Sequence, residues 1–298
     1  MKAYELQGHF GVDSVNLTER PQPEPAAGQV LLQMRAWSLN YRDLMMVKGL
    51  YNPNLRLPLT PLSDGVGEVV AVGEGVTRVK IGDRVAGNVI QKWIDGEPTE
   101  AKARSALGGA IDGLLAEYAV LDEEGVVHLP EHLTDEEGAT LPCAGVTAWH
   151  ALVTEGGVKA GDNVLLQGTG GVSLFALQFA SLRGARAIVT SSSDAKLARV
   201  AALGASDGIN YKTTPEWGRR ARELTGGVGV DHVVEVGGAG TFSESLRAVR
   251  MGGHISLIGV LSGAGQINPT PILMKSVRVQ GIFVGSRVMF EAMNEAIA

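Results

Sequence analysis

Residues 163–173 read N-V-L-L-Q-G-T-G-G-V-S and constrain the fold more than any other stretch of the chain. The apolar run of Val164, Leu165 and Leu166 meets a glycine-dense turn, Gly168, Gly170 and Gly171, and an apolar periodic segment follows at once. A strand that passes through a tight turn straight into a helix is the first half of a parallel crossover, which belongs to a sheet with helices on both faces. The same turn lets backbone approach a diphosphate and aims the N–H groups of the helix start at it. A dinucleotide-binding unit is therefore the leading expectation.

The surrounding pattern agrees with that order. Strand candidates fall at residues 164–167, 187–191, 208–211, 232–236, 254–258 and 277–284, with helical segments at 174–182, 194–203, 217–224 and 242–249 between them. Six strands with interleaved helices predict an α/β unit built on a doubly wound, six-stranded parallel sheet. The chain before it is β-rich, with short strands at 30–36, 65–72, 84–89 and 118–121 and a poorly periodic loop or small helical excursion at 91–113. A last helix begins at Met289, and the sequence stops within it.

Composition excludes several classes. Hydrophobic residues make up 45% and charged residues 19% of the 298, enough to bury a large core, so disorder is disfavoured. A net charge of −6 without a Lys/Arg cluster speaks against nucleic acid as partner. Cys143 is the only cysteine, which rules out an internal disulfide and a four-cysteine zinc lobe. No signal-type leader and no run near the roughly 20 apolar residues of a membrane span is present, so a soluble, cytoplasmic protein is expected.

The glycine turn departs from the full G-x-G-x-x-G fingerprint at its third position, Ser173, which is small enough to be a mild change. A second strand-to-helix turn, H-V-V-E-V-G-G-A-G at 232–240, looks like an acidic-then-glycine methyl-donor site. It follows the fourth strand rather than the first, where glycines are expected to leave room at a sheet's switch point. The end of the second strand carries Thr190, Ser191, Ser192 and Ser193, with Asp194 beyond it and Lys196 close behind. A carboxylate there would hold ribose hydroxyls and repel a 2′-phosphate, whereas hydroxyls and an ammonium accept one. This predicts NADP(H) over NAD(H), with one of the serines also capping the next helix.

With these residues laid out, the chain resembles the medium-chain dehydrogenase/reductase superfamily, in its zinc-independent quinone oxidoreductase-like branch. The resemblance spans the whole length. It rests on N-Y-R-D at 40–43, G-L-Y at 49–51, G-V-G-E-V-V-A-V-G-E-G-V at 65–76, G-D-R-V at 82–85, P-C-A-G-V-T-A-W at 142–149, the glycine turn and A-L-G-A at 202–205. It implies a GroES-like substrate domain over residues 1–125, a Rossmann cofactor domain over 126–285, and a return to the first domain begun by 286–298.

The resemblance also implies roles. Zinc-dependent relatives hold catalytic zinc through Cys, His and Cys; here Asn40 and Ser63, followed by Asp64, stand at the first two places and only Cys143 matches the third. No catalytic zinc and no other metal is expected, since one thiolate does not make a three-ligand site. Asn40 and Tyr51 are the candidate catalytic residues, with Tyr41 and Arg42 nearby and Asp43 orienting its neighbours. Thr147 is placed beside the nicotinamide, and Gly168, Gly170, Gly171 and Val172 at the pyrophosphate. Ser191, Ser192, Lys196 and Tyr211 are placed around the 2′-phosphate, and Gly237, Gly259, Val260 and Phe283 along the adenosine and nicotinamide. Relatives pair subunits through the edge strand at 277–284, so a homodimer is expected. The implied activity is NADP(H)-dependent hydride transfer to a quinone, enone or related carbonyl, with alcohol dehydrogenase or a nucleotide-binding protein without turnover as alternatives.

Overall fold

The structure, a computed structural model, describes residues 1–259 and 261–298. Two compact units make up the chain, Met1–Val146 with Val284–Ala298, and Thr147–Phe283.

In the first unit, β1 (Lys2–Leu6) and β2 (Val15–Glu19) form an antiparallel hairpin. Then come β3 (Gln29–Ser38), α1 (Tyr41–Val47), β4 (Asp64–Val72), β5 (Arg84–Gly87), α2 (Glu100–Ala103), β6 (Tyr118–Asp122), β7 (Val126–His128) and α3 (Asp135–Ala139). The five longer-range strands pair antiparallel in the order β6-β3-β4-β5-β7. Alternation along β3 sends Val30, Leu32 and Met34 into a core shared with Val69, Val85, Leu107, Leu114, Leu121 and Val126. Register slips at Leu31/Leu32 and Met34/Ala36 bulge the β3–β4 pair, and bulges of this kind curl a sheet. A capping box starts α3: the Thr134 hydroxyl accepts from Glu137 N (3.2 Å) while the Glu137 carboxylate accepts from Thr134 N (2.9 Å). A π-helical turn, Leu141–Gly145, follows.

The second unit holds α4 (Val146–Trp149, whose first residue closes the first unit), β8 (Asn163–Gln167), α5 (Gly171–Leu182), β9 (Arg186–Ser191), α6 (Asp194–Ala202), β10 (Asp207–Asn210) and α7 (Trp217–Leu224). It continues with β11 (Val230–Glu235), α8 (Ala239–Ala248), β12 (Val249–Leu257), α9 (Thr270–Met274) and β13 (Arg278–Gly281). Its six strands are all parallel, in the order β10-β9-β8-β11-β12-β13. Counted from β8 this is the 3-2-1-4-5-6 order of the doubly wound fold, whose direction of winding reverses between the first and fourth strands. Val164, Leu165 and Leu166 are all buried, as a central strand covered on both faces requires. Leu165, Ile188, Val233 and Ile255 pack with Trp217, Phe242 and Leu246 of the flanking helices, each such side chain contributing roughly 1.5–3 kcal/mol of hydrophobic stabilisation.

The last helix, α10 (Arg287–Ile297), packs with the first unit. Ser286 caps it by accepting from Met289 N (3.2 Å), Phe290 and Met293 are fully buried, and Asn294 Nδ2 donates to His128 O (2.8 Å). The first unit thus reaches Val146, beyond the change of pattern read at residue 126, because α3 packs on β3 and β4. The strand expected over 277–284 is shorter, ending at Gly281, and Val284 turns out of the extended region with φ +53°. The strand expected to reach residue 89 ends at Gly87, where Asn88 N turns to donate to Gly125 O.

Candidate active site

Candidate residues lie in both units. In the second, β8 ends at Gln167 and Gly168 takes φ +73°, a left-handed conformation that only glycine adopts without strain. Gly170 stands at the N-cap of α5, no side chain caps that helix, and a side chain built at Gly170 would meet open space. The first N–H groups of α5 are therefore left for a ligand. Ser173, the odd residue of the fingerprint, is buried, and its hydroxyl donates to Gln167 O (2.6 Å). It ties the first turn of α5 to the end of β8, which a glycine could not do.

At the end of β9, the Thr190 hydroxyl accepts weakly from Gly168 N (3.4 Å). Ser191 is buried and its hydroxyl accepts from Ser193 N (3.3 Å), so the side chain serves the local turn. Ser193 caps α6 by accepting from Lys196 N (3.4 Å). Ser192 is half-buried, while Lys196 and Tyr211 are exposed. Asp194, the one carboxylate in this turn, accepts from Asn210 Nδ2 (2.7 Å). Thr147 is buried, Phe283 is partly exposed two residues past β13, and Gly259 closes on β11 so tightly that a Cβ would come within 2.0 Å of Val236 O. Val260 lies outside the described residues.

Sequence reasoning missed a buried polar network below both glycine turns. Glu235, at the end of β11, is fully buried. Its Oε1 accepts from Gly237 N (2.8 Å), Gly238 N (3.0 Å) and Thr241 Oγ1 (2.5 Å); its Oε2 accepts from Gln167 Nε2 (2.6 Å) and Ser245 Oγ. Gln167 Oε1 accepts in turn from Val236 N and Gly237 N, both at 3.2 Å. A methyl-donor site needs its strand-end carboxylate free to hold ribose hydroxyls; Glu235 points inward and is fully engaged. The available signal was a polar residue ending each of two otherwise apolar strands, N-V-L-L-Q and H-V-V-E.

In the first unit, Asn40 caps α1 in extended conformation, and Asp43, three residues on, accepts from Asn40 N (2.7 Å). Burial pushes the Asp43 carboxyl above its usual range. The Arg42 guanidinium turns inward, donating to Leu107 O (3.1 Å) and lying 3.7 Å from Asp43 Oδ1, so it anchors α1 rather than facing solvent. Asn40 Nδ2 is buried, and the Asn40 side chain acts on the neighbouring Asp64 carboxyl, opposing its rise. Tyr41 and Tyr51 are exposed. Asp64 is fully buried, with Oδ1 accepting from the Ser63 hydroxyl (2.7 Å) and Oδ2 from Cys143 N (3.0 Å). Burial raises its carboxyl to about 6 despite both bonds. Burial also pushes the Cys143 thiol up, and the nearby Asp64 adds to the shift.

These residues do not suit zinc. One thiol, that of Cys143, stands with an amide, a serine and a carboxylate already engaged by two donors. Among the described residues there is no group of three His, Cys, Asp or Glu that could hold a metal ion.

A doubly wound parallel unit with a glycine turn at its switch point, carried in one chain with a curled antiparallel unit, defines the two-domain dehydrogenases and reductases. Two family models match accordingly, the alcohol dehydrogenase GroES-like domain over residues 26–131 and the zinc-binding dehydrogenase over residues 171–298. A zinc-type alcohol dehydrogenase-like protein of Schizosaccharomyces pombe, C1773.06c, is 47% identical over 291 residues, covering 95% of this chain and 84% of that protein. The human quinone oxidoreductase is 29% identical over 277 residues, 93% of this chain and 78% of that one. Among solved structures, an NAD-dependent alcohol dehydrogenase superposes with a TM-score of 0.90 at 34% identity, covering all of this chain and 89% of the other. The mycobacterial protein Rv1454c complexed with NADPH superposes with 0.82 at 29% identity, covering all of this chain and 87% of the other. The chain belongs to the medium-chain dehydrogenase/reductase superfamily, and it is an oxidoreductase.

Proposed function

We propose that the chain is an NADP(H)-dependent reductase of quinones, enones or related carbonyls that works without catalytic zinc. The observation that carries this reading is the end of β9, where Lys196 and Tyr211 are exposed beside the half-buried Ser192 and the turn's carboxylate, Asp194, accepts from Asn210 Nδ2. An NADPH complex of a relative and the human quinone oxidoreductase support it. The uncapped start of α5, with open space over Gly170, fits a pyrophosphate. When bound, the nicotinamide supplies the hydride, and the chain supplies binding and orientation. Lys196 would pair with a 2′-phosphate. In the first unit, the exposed Tyr51 hydroxyl would donate a hydrogen bond to the substrate oxygen, with Asn40 as a second polar group. The exposed edge of β13 would pair with a second copy to give a homodimer.

An alcohol dehydrogenase activity is the second reading, favoured by the names of the Schizosaccharomyces pombe relative and of the NAD-dependent structure. Oxidation of NADPH and NADH against a panel of quinones, enones and aldehydes separates the two. Turnover of quinones or enones with the lower KM for NADPH is expected. Turnover confined to aldehydes, or a lower KM for NADH, overturns the reading.

A further inference from the structure

Gln167 and Glu235 sit one step beyond the last register pair of β8 and β11, Leu166 with Val234, at the point where the sheet's winding reverses. Between this pair and the buried His232 of β11, the buried positions on these two strands are apolar: Val164, Leu165, Leu166, Val233 and Val234. Two well-packed apolar side chains would fill the same space without taking a charge out of water, and a buried charged network is weak evidence for stability as such. What this network has that an apolar pair lacks is direction. The amide of Gln167 presents its donor to the carboxylate and its acceptor to Val236 and Gly237 N–H. The carboxylate gathers Gly237 and Gly238 N–H and the Thr241 hydroxyl on its other oxygen. Through Ser173, the carbonyl of Gln167 also holds the first turn of α5.

We propose that Gln167 and Glu235 are a positioning pair for the dinucleotide, fixing the separation of the two glycine turns and turning the N–H groups of residues 236–238 inward. The phosphates are thereby left to the turn at 168–171 and the start of α5. This inference rests on the dinucleotide reading above.

Three variants of the full chain test it: E235Q, Q167E, and the exchange Q167E/E235Q. E235Q sets an amide donor against a donor, either Gln167 Nε2 or the glycine N–H groups. Q167E sets two carboxylates face to face. In the exchange the donor and acceptor roles reverse across the pair, and the Ser245 hydroxyl, 2.7 Å from the amide of Gln167, can serve the relocated carboxylate. NADPH and NADH are titrated by nicotinamide fluorescence, with thermal midpoints measured in parallel. Each single variant is expected to weaken binding roughly tenfold, about the worth of one unmade buried hydrogen bond, and the exchange to regain most of that loss. A lowered thermal midpoint with unchanged dissociation constants would mean a purely structural network and overturns the proposal. So does an exchange variant that fails to regain binding, whether folded or not. An unmodified protein that binds neither nucleotide overturns the dinucleotide reading itself, and the proposal with it.

Discussion

Asn40 is held by its backbone, through Asp43, and its side chain acts on the buried Asp64 carboxylate. Tyr51 is exposed and free of such constraint, so a Tyr51→Phe enzyme tests it directly. Under the proposed role, kcat falls roughly 100-fold with the NADPH dissociation constant unchanged; unchanged turnover removes the hydroxyl from the mechanism. Elsewhere a residue sets a pH limit. His254 is buried beside His232, their rings 6.1 Å apart, and neither His254 nitrogen has a hydrogen bond. Burial, then the charges of Arg278 and His232, depress its pKa from 6.5 to about 4. The unfolded chain takes up a proton below pH 6.5 that the folded chain refuses, so this contribution to stability is whole above 6.5 and is lost as pH falls toward 4. Asp64 acts in the opposite sense, because its raised carboxyl favours the folded state most below the ordinary value of 3.8 and loses that advantage as pH rises to about 6. A His254→Phe variant should therefore gain thermal midpoint relative to the parent at pH 5 and much less at pH 7.5. A difference independent of pH refutes this. At this scale orientation was what the sequence did not carry: Arg42 donates inward to Leu107 O, and the buried Ser191 hydroxyl accepts from Ser193 N.

The turn between β9 and α6 is where an element, rather than a residue, sets specificity. Ser193 caps the helix, and Asp194 is held by Asn210 from the end of β10, so Lys196 is the remaining charge free to act outward. Lys196→Glu should raise KM for NADPH roughly tenfold while leaving KM for NADH nearly unchanged; an equal rise in both argues that the turn merely supports the fold. Elements such as α5, α6 and α7 were legible because a long apolar or amphipathic period met a glycine turn or a serine cap. The hairpin of β1 and β2 was not, since β2 is exposed at alternate and adjacent positions and shows no clean period. Nor was α1, seven residues whose cap works through Asp43 and whose apolar side chains are split between core and surface. The network of Gln167 and Glu235 was hidden for a different reason: a polar residue at a strand end reads as the beginning of a loop until the register sets it against its partner.

For the whole molecule, the doubly wound class of sheet was legible and the extent of its strands was not. Six strands with interleaved helices pointed to that class, whereas the run at 277–284 supplied only four residues of β13. That strand ends the sheet, and Ile282 N–H donates back to Leu257 O. Alternation then turns the Gly281 N–H away from β12, toward any strand added from a second copy. Gly281→Pro should leave the sheet intact by circular dichroism and convert a dimer to a monomer by light scattering; a parent that is already monomeric refutes the pairing. One consequence concerns survival. Quinones and enones alkylate thiolates, and a reductase of the proposed kind would be exposed to its own substrates at every turnover. This chain has a single cysteine among 298 residues, half-buried, and desolvation raises its thiol above the ordinary range, away from the reactive thiolate. Incubation with excess naphthoquinone should leave the intact mass unchanged, and a stoichiometric adduct on Cys143 would count against it. A protein so built offers such electrophiles a single thiol.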